Sequence, residues 1–167
     1  MAIDDRTKST LAEELYEAAM TGEPIEQLTA RYDLTIEDAY EIQSRLMSKR
    51  MEDGGSLLGH KIGLTSQGIR DQFDVDEPDF GRVLDSMFVE GQTIPMEQLI
   101  RPRIEPEIGF MLAESLDPPV TYLDVLEATS GVLPVLEVID SRIRDWEIEI
   151  QDTIADTASS ALFLTGG

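Results

Sequence analysis

Two glutamates one residue apart open the chemical reading. In Arg103-Ile104-Glu105-Pro106-Glu107-Ile108-Gly109-Phe110 the apolar flanks read as a strand. Successive strand side chains point to opposite faces, so Glu105 and Glu107 share one face. Their repulsion must be relieved by solvent, protonation or a cation. Solvent would make the pair an acidic edge-strand face; a cation would make it part of a metal site. A third glutamate, Glu137, interrupts the apolar run Leu133-Pro134-Val135-Leu136-Glu137-Val138-Ile139. A buried, unpaired carboxylate is costly, so it needs a partner. The choice lies between Arg142 or Arg144 just downstream and a metal ion. Together the three glutamates make an all-oxygen set that suits Mg²⁺ or Mn²⁺, with Ca²⁺ less suited to catalysis. Coordination positions left open would take a substrate chelating through adjacent oxygens.

Three further segments carry candidate chemistry. Lys61 stands in Gly59-His60-Lys61-Ile62-Gly63-Leu64-Thr65-Ser66, in a chain whose other lysines are Lys8 and Lys49. It is either an acid/base group whose pKa desolvation lowers or a surface lysine on a hairpin. His60 is the single histidine; alternation puts it opposite Lys61, a structural position. In Asp76-Glu77-Pro78-Asp79-Phe80-Gly81, Pro78 and Gly81 frame a turn able to fix Asp79, though a plain surface turn reads the same way. The segment from Asp152 to Ser160 leads small and polar residues into the final strand, and loops in that position often line sites. The sequence has no P-loop, dinucleotide-binding glycine turn, nucleophile elbow or HExxH. It has no cysteine either, which excludes disulfides and thiolate chemistry.

The elements that must position these residues come in two textures. Thr10-Leu11-Ala12-Glu13 predicts a capping box, with Leu11, Leu15, Ala18 and Ala19 following at helical spacing until Gly22 and Pro24. A second helix is predicted from Thr35 to about Met51, with Ile36, Ala39, Tyr40, Ile42, Leu46 and Met47 as its apolar stripe. From Leu57 short apolar segments alternate with Gly, Pro and Asp turns. The predicted strands are Leu57 to Ile62, Gly81 to Val89, Ile104 to Leu112, Val132 to Ile139 and Ser160 to Leu164, with a helix over Tyr122 to Ser130. The result is an α+β arrangement: a helical segment over 1–55 and a strand-rich catalytic domain over 56–167. The last residues, Ala161 to Gly167, read as a strand running into a glycine turn. A domain seldom stops there, so the chain is expected to be C-terminally truncated.

Composition bounds the partners. The 167 residues have a one-domain length and 41% are hydrophobic, which argues against disorder. The net charge is −21, from 34 acidic and 13 basic residues. Such a surface repels nucleic acid and anionic membranes. An acidic, lysine-poor surface also suits concentrated salt, where screening removes self-repulsion; a halophilic source is the expectation, against a functional acidic patch. No apolar run is long enough to span a bilayer, and the start, Met1-Ala2-Ile3-Asp4-Asp5-Arg6, has no secretory pattern. A cytoplasmic location is expected.

Taken in order, the segments resemble the 2-keto-4-pentenoate hydratase / 2-oxo-3-hexenedioate (4-oxalocrotonate) decarboxylase family, related to the fumarylacetoacetate hydrolases. The resemblance rests on Glu37-Asp38-Ala39-Tyr40-Glu41-Ile42-Gln43, the Lys61 segment, Pro78-Asp79-Phe80-Gly81, Arg101-Pro102-Arg103-Ile104-Glu105-Pro106-Glu107, the Glu137 segment and Ser141-Arg142-Ile143-Arg144-Asp145-Trp146. It covers nearly the whole chain from about Thr10, and it is specific through order and spacing rather than through any one motif. It implies a rolled, mixed β-sheet body of the fumarylacetoacetase type. It implies that Glu105, Glu107 and Glu137 hold Mg²⁺ or Mn²⁺, that Lys61 and Asp79 are catalytic, and that Ser159 and Asp156 approach the substrate. Assembly into homo-oligomers, or with a homologous subunit, is implied too. The family continues well beyond the point where this chain ends.

The implied activity is hydration of 2-hydroxypenta-2,4-dienoate to 4-hydroxy-2-oxopentanoate in aromatic catabolism, with Lys61 and Asp79 moving protons between dienol and unsaturated ketone. The alternatives are 4-oxalocrotonate decarboxylation, acylpyruvate-type hydrolysis, and an inactive fragment or partner subunit of a hydratase–decarboxylase complex. A decarboxylase needs a basic group for a second carboxylate, for which Arg82, Arg101 and Arg103 are the candidates.

Overall fold

The computed structural model describes residues 3–89, 91 and 93–166. Met1, Ala2 and Gly167, used above for the chain's start and its closing turn, lie outside them. The elements run α1 (Asp5–Thr21), α2 (Leu28–Arg31), α3 (Ile36–Glu52), β1 (Leu57–Gly63), α4 (Gln67–Phe73), β2 (Asp79–Leu84), β3 (Arg103–Leu112), α5 (Tyr122–Ala128), β4 (Thr129–Ile139), α6 (Ile150–Ala155) and β5 (Ser160–Thr165).

The first helix starts earlier than its apolar period. Asp4 is the cap, and its carboxylate accepts from Thr7 N at 2.8 Å. Thr10 lies inside the helix and its hydroxyl donates to Arg6 O. The cap thus precedes the first core residue, Lys8, by one turn of polar sequence that carries no apolar signal. Gly22 closes α1 at φ 72, where a missing Cβ is an advantage, and donates to Ala18 O. Helix α3 starts after Thr35 as expected, and a reciprocal box between Thr35 and Asp38, which was not foreseen, opens it.

These helices bury one shared face. Leu11 and Leu15 of α1 meet Ile42 and Leu46 of α3, together with Leu28, Ile143, Ile154 and Ala155. Each fully buried Leu or Ile contributes about 1.5–3 kcal/mol. Helix α6 therefore belongs to the helical layer although it comes late in the chain. A second core, Met47, Val83, Leu84, Met87 and Phe163, joins α3 to β2 and β5.

The strands form two antiparallel sheets, β1–β2 and β3–β4–β5 with β4 central. Isolated parallel bridges Ile25–Ile143 and Phe88–Phe163 add the mixed character. Strand β2 begins at Asp79 and ends at Leu84, not Val89. The Asp85 carboxylate takes the N–H groups of Ser56 and Ser86, turning the chain into a 3₁₀ turn over Asp85–Met87. Among the described residues no helix is long and apolar enough to cross a membrane.

Candidate active site

Strand register brings the glutamates together. The β3–β4 pairing sets Glu105 directly opposite Glu137 and Glu107 opposite Val135. Cross-strand partners share a face, so all three carboxylates point the same way. One oxygen from each lies within 4.8 Å of the others. Glu137 is 1% exposed and neither of its oxygens has a hydrogen-bond partner. Lys61 Nζ lies 2.9 Å from Glu137 Oε2, an ion pair whose angles fall outside hydrogen-bond geometry. The downstream arginines are not its partners: Arg142 pairs with Asp156, and Arg144 reaches Pro24 O. A single ammonium against three carboxylates leaves the cluster short of positive charge. Burial, followed by the charge of Glu137, raises the pKa of Glu107 against the opposing pull of Lys61. Buried oxygens without donors, in an all-carboxylate set, fit a hard divalent cation.

The second sheet supplies Lys61 and Asp79. Its register pairs Lys61 with Gly81 and Gly63 with Asp79. Asp79 is 2% exposed, with both oxygens unbonded. Burial raises its pKa first; Lys61 pulls the other way, and Glu137 and Glu105 add to the rise. Two glycines make this packing possible. A Cβ on Gly63 would sit 2.2 Å from Asp79 Oδ1. One on Gly81 would lie 2.5 Å from Thr157 O and 2.9 Å from Lys61 Cγ. His60 faces out, exposed, as alternation requires.

The turn before β5 closes the other side. Thr157, Ala158 and Ser159 are all left-handed, with φ of 53, 54 and 52. Each such non-glycine residue costs of order 1–3 kcal/mol and persists only where its surroundings hold it. Thr157 Oγ1 accepts from Arg82 N at 3.1 Å and donates to Arg82 O, Ser159 O accepts from Asp140 N, and Lys61 Nζ donates to Ala158 O at 3.4 Å. The Ser159 hydroxyl is buried and unbonded.

Asp156 has a different setting. It is fully buried, and its oxygens take Arg142 Nε at 2.5 Å, Arg142 N at 3.0 Å and Ser141 Oγ. Burial pushes its pKa up to about 6 against the pull of Arg142. The Arg142 guanidinium also donates to Asp140 O, Ser160 O and Asp156 O, so the pair knits the turn from inside. Sequence reasoning met Gly63 and Gly81 only as neighbours of Lys61 and Asp79, and passed over Thr157 and this role of Arg142. Only the glycines flanking Lys61 and Asp79 gave a signal.

The candidate basic groups separate as well. Arg82 lies opposite His60, on the face turned away from Lys61. Arg101 pairs with Asp145 at 2.9 Å. By alternation Arg103 shares the face of Glu105, and its guanidinium sits 4.0 Å above the Trp146 ring.

Fold and site together define an α+β protein with an acidic, cation-accepting centre between two antiparallel sheets. No family model matches the chain. It is similar to a 2-hydroxypent-2,4-dienoate hydratase of Pseudomonas putida, 45% identical over 168 residues, covering 98% of this chain and 76% of that protein. It is also similar to a 2-keto-4-pentenoate hydratase of Paraburkholderia xenovorans, 44% identical, covering 93% and 59%. A 4-oxalocrotonate decarboxylase of a Pseudomonas species is 40% identical, covering 95% and 62%. Among solved structures, the 4-oxalocrotonate decarboxylase of Pseudomonas putida G7 complexed with magnesium and adipate aligns with a TM-score of 0.94 and 32% identity, over 99% of this chain and 64% of that one. Its complex with calcium and acetate aligns with a TM-score of 0.92. The chain belongs to the family of 2-keto-4-pentenoate hydratases and 4-oxalocrotonate decarboxylases. It spans 59% of the Paraburkholderia relative and 64% of the solved decarboxylase.

Proposed function

We propose that this protein is a metal-dependent lyase that adds water to 2-hydroxypenta-2,4-dienoate to give 4-hydroxy-2-oxopentanoate. The observation that carries the reading is the convergence of Glu105, Glu107 and Glu137 on one sheet face, with Lys61 against Glu137. The hydratases among its relatives support that choice of chemistry. Glu105, Glu107 and Glu137 would hold Mg²⁺ or Mn²⁺, which supplies a Lewis acid for the substrate's carboxylate and 2-oxygen.

The chain's own groups handle protons. In the dienol the proton must leave the 2-hydroxyl oxygen and another must reach C5, giving the unsaturated ketone. Water then places its hydroxyl on C4 and its proton on C3. Lys61, paired with Glu137, donates; Asp79, buried with unbonded oxygens and a pKa that burial raises, accepts and returns a proton. The unbonded Ser159 hydroxyl takes a polar atom of the substrate. Asp156 is assigned to the turn rather than to the substrate, because Arg142 and Ser141 occupy its oxygens.

The test is loss of the dienoate's ultraviolet absorbance with the purified chain, with and without Mn²⁺. Metal-dependent turnover by wild type that Lys61→Ala and Glu137→Gln both abolish is expected. Turnover that persists in a chelator, or in both variants, contradicts the proposal.

One observation favours a second reading, decarboxylation of a 2-oxohexenedioate. Arg103, stacked on Trp146, shares the strand face of Glu105 by alternation, and the solved neighbour is a decarboxylase bound to the dicarboxylate adipate. Release of CO₂ from that substrate, lost in Arg103→Ala while the monocarboxylate is still hydrated, would select it.

A further inference from the structure

Helix α3 carries a pair of residues that the chemistry above does not use. Gln43 is 3% exposed, and its amide nitrogen donates to Phe80 O and Ile154 O, each at 2.8 Å. One turn earlier, the Tyr40 hydroxyl accepts from Phe80 N at 3.3 Å. Both backbone groups of Phe80 are thus satisfied by side chains of α3. This side of β2 has no strand neighbour in its two-stranded sheet, so the helix stands where a third strand would.

The two carbonyls that Gln43 joins lie at chemically important places. Phe80 stands between Asp79 and Gly81, the residues that face Gly63 and Lys61 across the sheet. Ile154 O also accepts from Thr157 N, the first residue of the left-handed turn that ends at Ser159. An apolar side chain could fill the same space but could not tie these carbonyls together. A buried amide costs free energy unless its donors are used, and both are used here.

We propose that Gln43, assisted by Tyr40, is a positioning residue. By tying the Asp79 strand to the helix end that leads into the Thr157–Ser159 turn, it sets both around Lys61. The inference rests on the catalytic reading of Asp79 given above.

The test uses Gln43→Met, which keeps length and removes both donors, beside Tyr40→Phe, Asp79→Asn and a packing control, Ile42→Val. The first readout is turnover of the dienoate with saturating Mn²⁺. The second is amide hydrogen exchange of the metal-free chain. For Gln43→Met the expectation is a kcat lower by about ten- to a hundredfold with KM little changed, because misplacement rather than lost binding is the fault. Faster exchange is expected at Phe80–Arg82 and Thr157–Ser159, with Ile42→Val normal in both measurements. Should Gln43→Met fail to fold, Tyr40→Phe carries the test, with a smaller effect of the same kind. Wild-type kcat in Gln43→Met beside a slow Asp79→Asn overturns the inference alone. So does a kcat loss that Ile42→Val reproduces at equal loss of melting temperature. Wild-type turnover in Asp79→Asn brings down the reading of Asp79 and this inference with it.

Discussion

Among the described residues six carboxylates are almost completely buried, and they divide into two regions. Asp38, Asp140, Asp152 and Asp156 lie in and around the helical layer, and Asp79 and Glu137 lie on the sheets. The first four are fully engaged within the chain. Asp38 binds Lys8 and caps α3, and Asp140 takes the N–H groups of Ile100 and Arg101. Asp152 takes the N–H groups of Leu28, Thr29 and Glu149, and Asp156 takes Arg142. The two on the sheets have no hydrogen bond to any of their four oxygens. Equal burial therefore serves opposite ends. Helical-layer carboxylates stabilise the fold by bridging elements, whereas the sheet carboxylates have no hydrogen bond and only the Lys61 ion pair at Glu137, which leaves them open to a group from outside the chain.

The sharpest way to break this contrast is to neutralise one member of each region. Asp79→Asn is expected to lower turnover by about 10²–10⁴-fold, the usual worth of a positioned acid/base group, without loss of stability in urea. Arg142→Met strands Asp156 in the interior and is expected to cost about 3–5 kcal/mol in the same denaturation. Similar stability losses in the two variants would erase the distinction.

A smaller effect sharpens it through pH. The folded-state pKa of Asp79 lies above its ordinary value of 3.8, so between the two the folded chain holds the extra proton. Metal-free protein should therefore lose stability as pH rises through that window, and Asp79→Asn should flatten the slope. Melting temperatures of the two proteins across about pH 4 to 8 check this. Glu107, raised in the same direction, makes Mn²⁺ affinity fall as pH drops, because proton and ion compete for it.

The smallest expected effect is that of salt. With a net charge of −21 the melting temperature should rise between low and molar KCl, where screening shortens to about 3 Å. The ion pair of buried Glu137 with Lys61 should be nearly indifferent to it. A melt no higher at molar salt would remove the halophilic reading.

The same division decides what the sequence reveals. Features set by local chemistry are legible: the start of α3 at Thr35, the alternation that puts Glu105 and Glu107 on one face, and Gly22 as a stop. Features set by distant partners are not. Short α2 gives little periodicity, and its first N–H groups are capped by Asp152, more than a hundred residues on. Helix α6 is too short to show a period, and β2 stops early because Asp85 finds Ser56. In the site, the residue types single out Glu105, Glu107, Glu137 and Lys61, which the fold brings close together. That Glu137 falls opposite Glu105 depends on register, and Lys61, not an arginine nearby in sequence, meets it. Gly63 and Gly81 are legible as neighbours of Lys61 and Asp79, but the close packing that needs them is set by Asp79, Thr157 and Lys61 from across the fold.

Calorimetric titration of Mn²⁺ into the chain, and into Glu105→Gln, Glu107→Gln and Glu137→Gln, bears most directly on the sheet carboxylates. One ion bound by wild type, with binding abolished in each variant while all remain folded, is the predicted result. Undiminished binding in Glu137→Gln, or no binding by the folded wild-type chain, would contradict it.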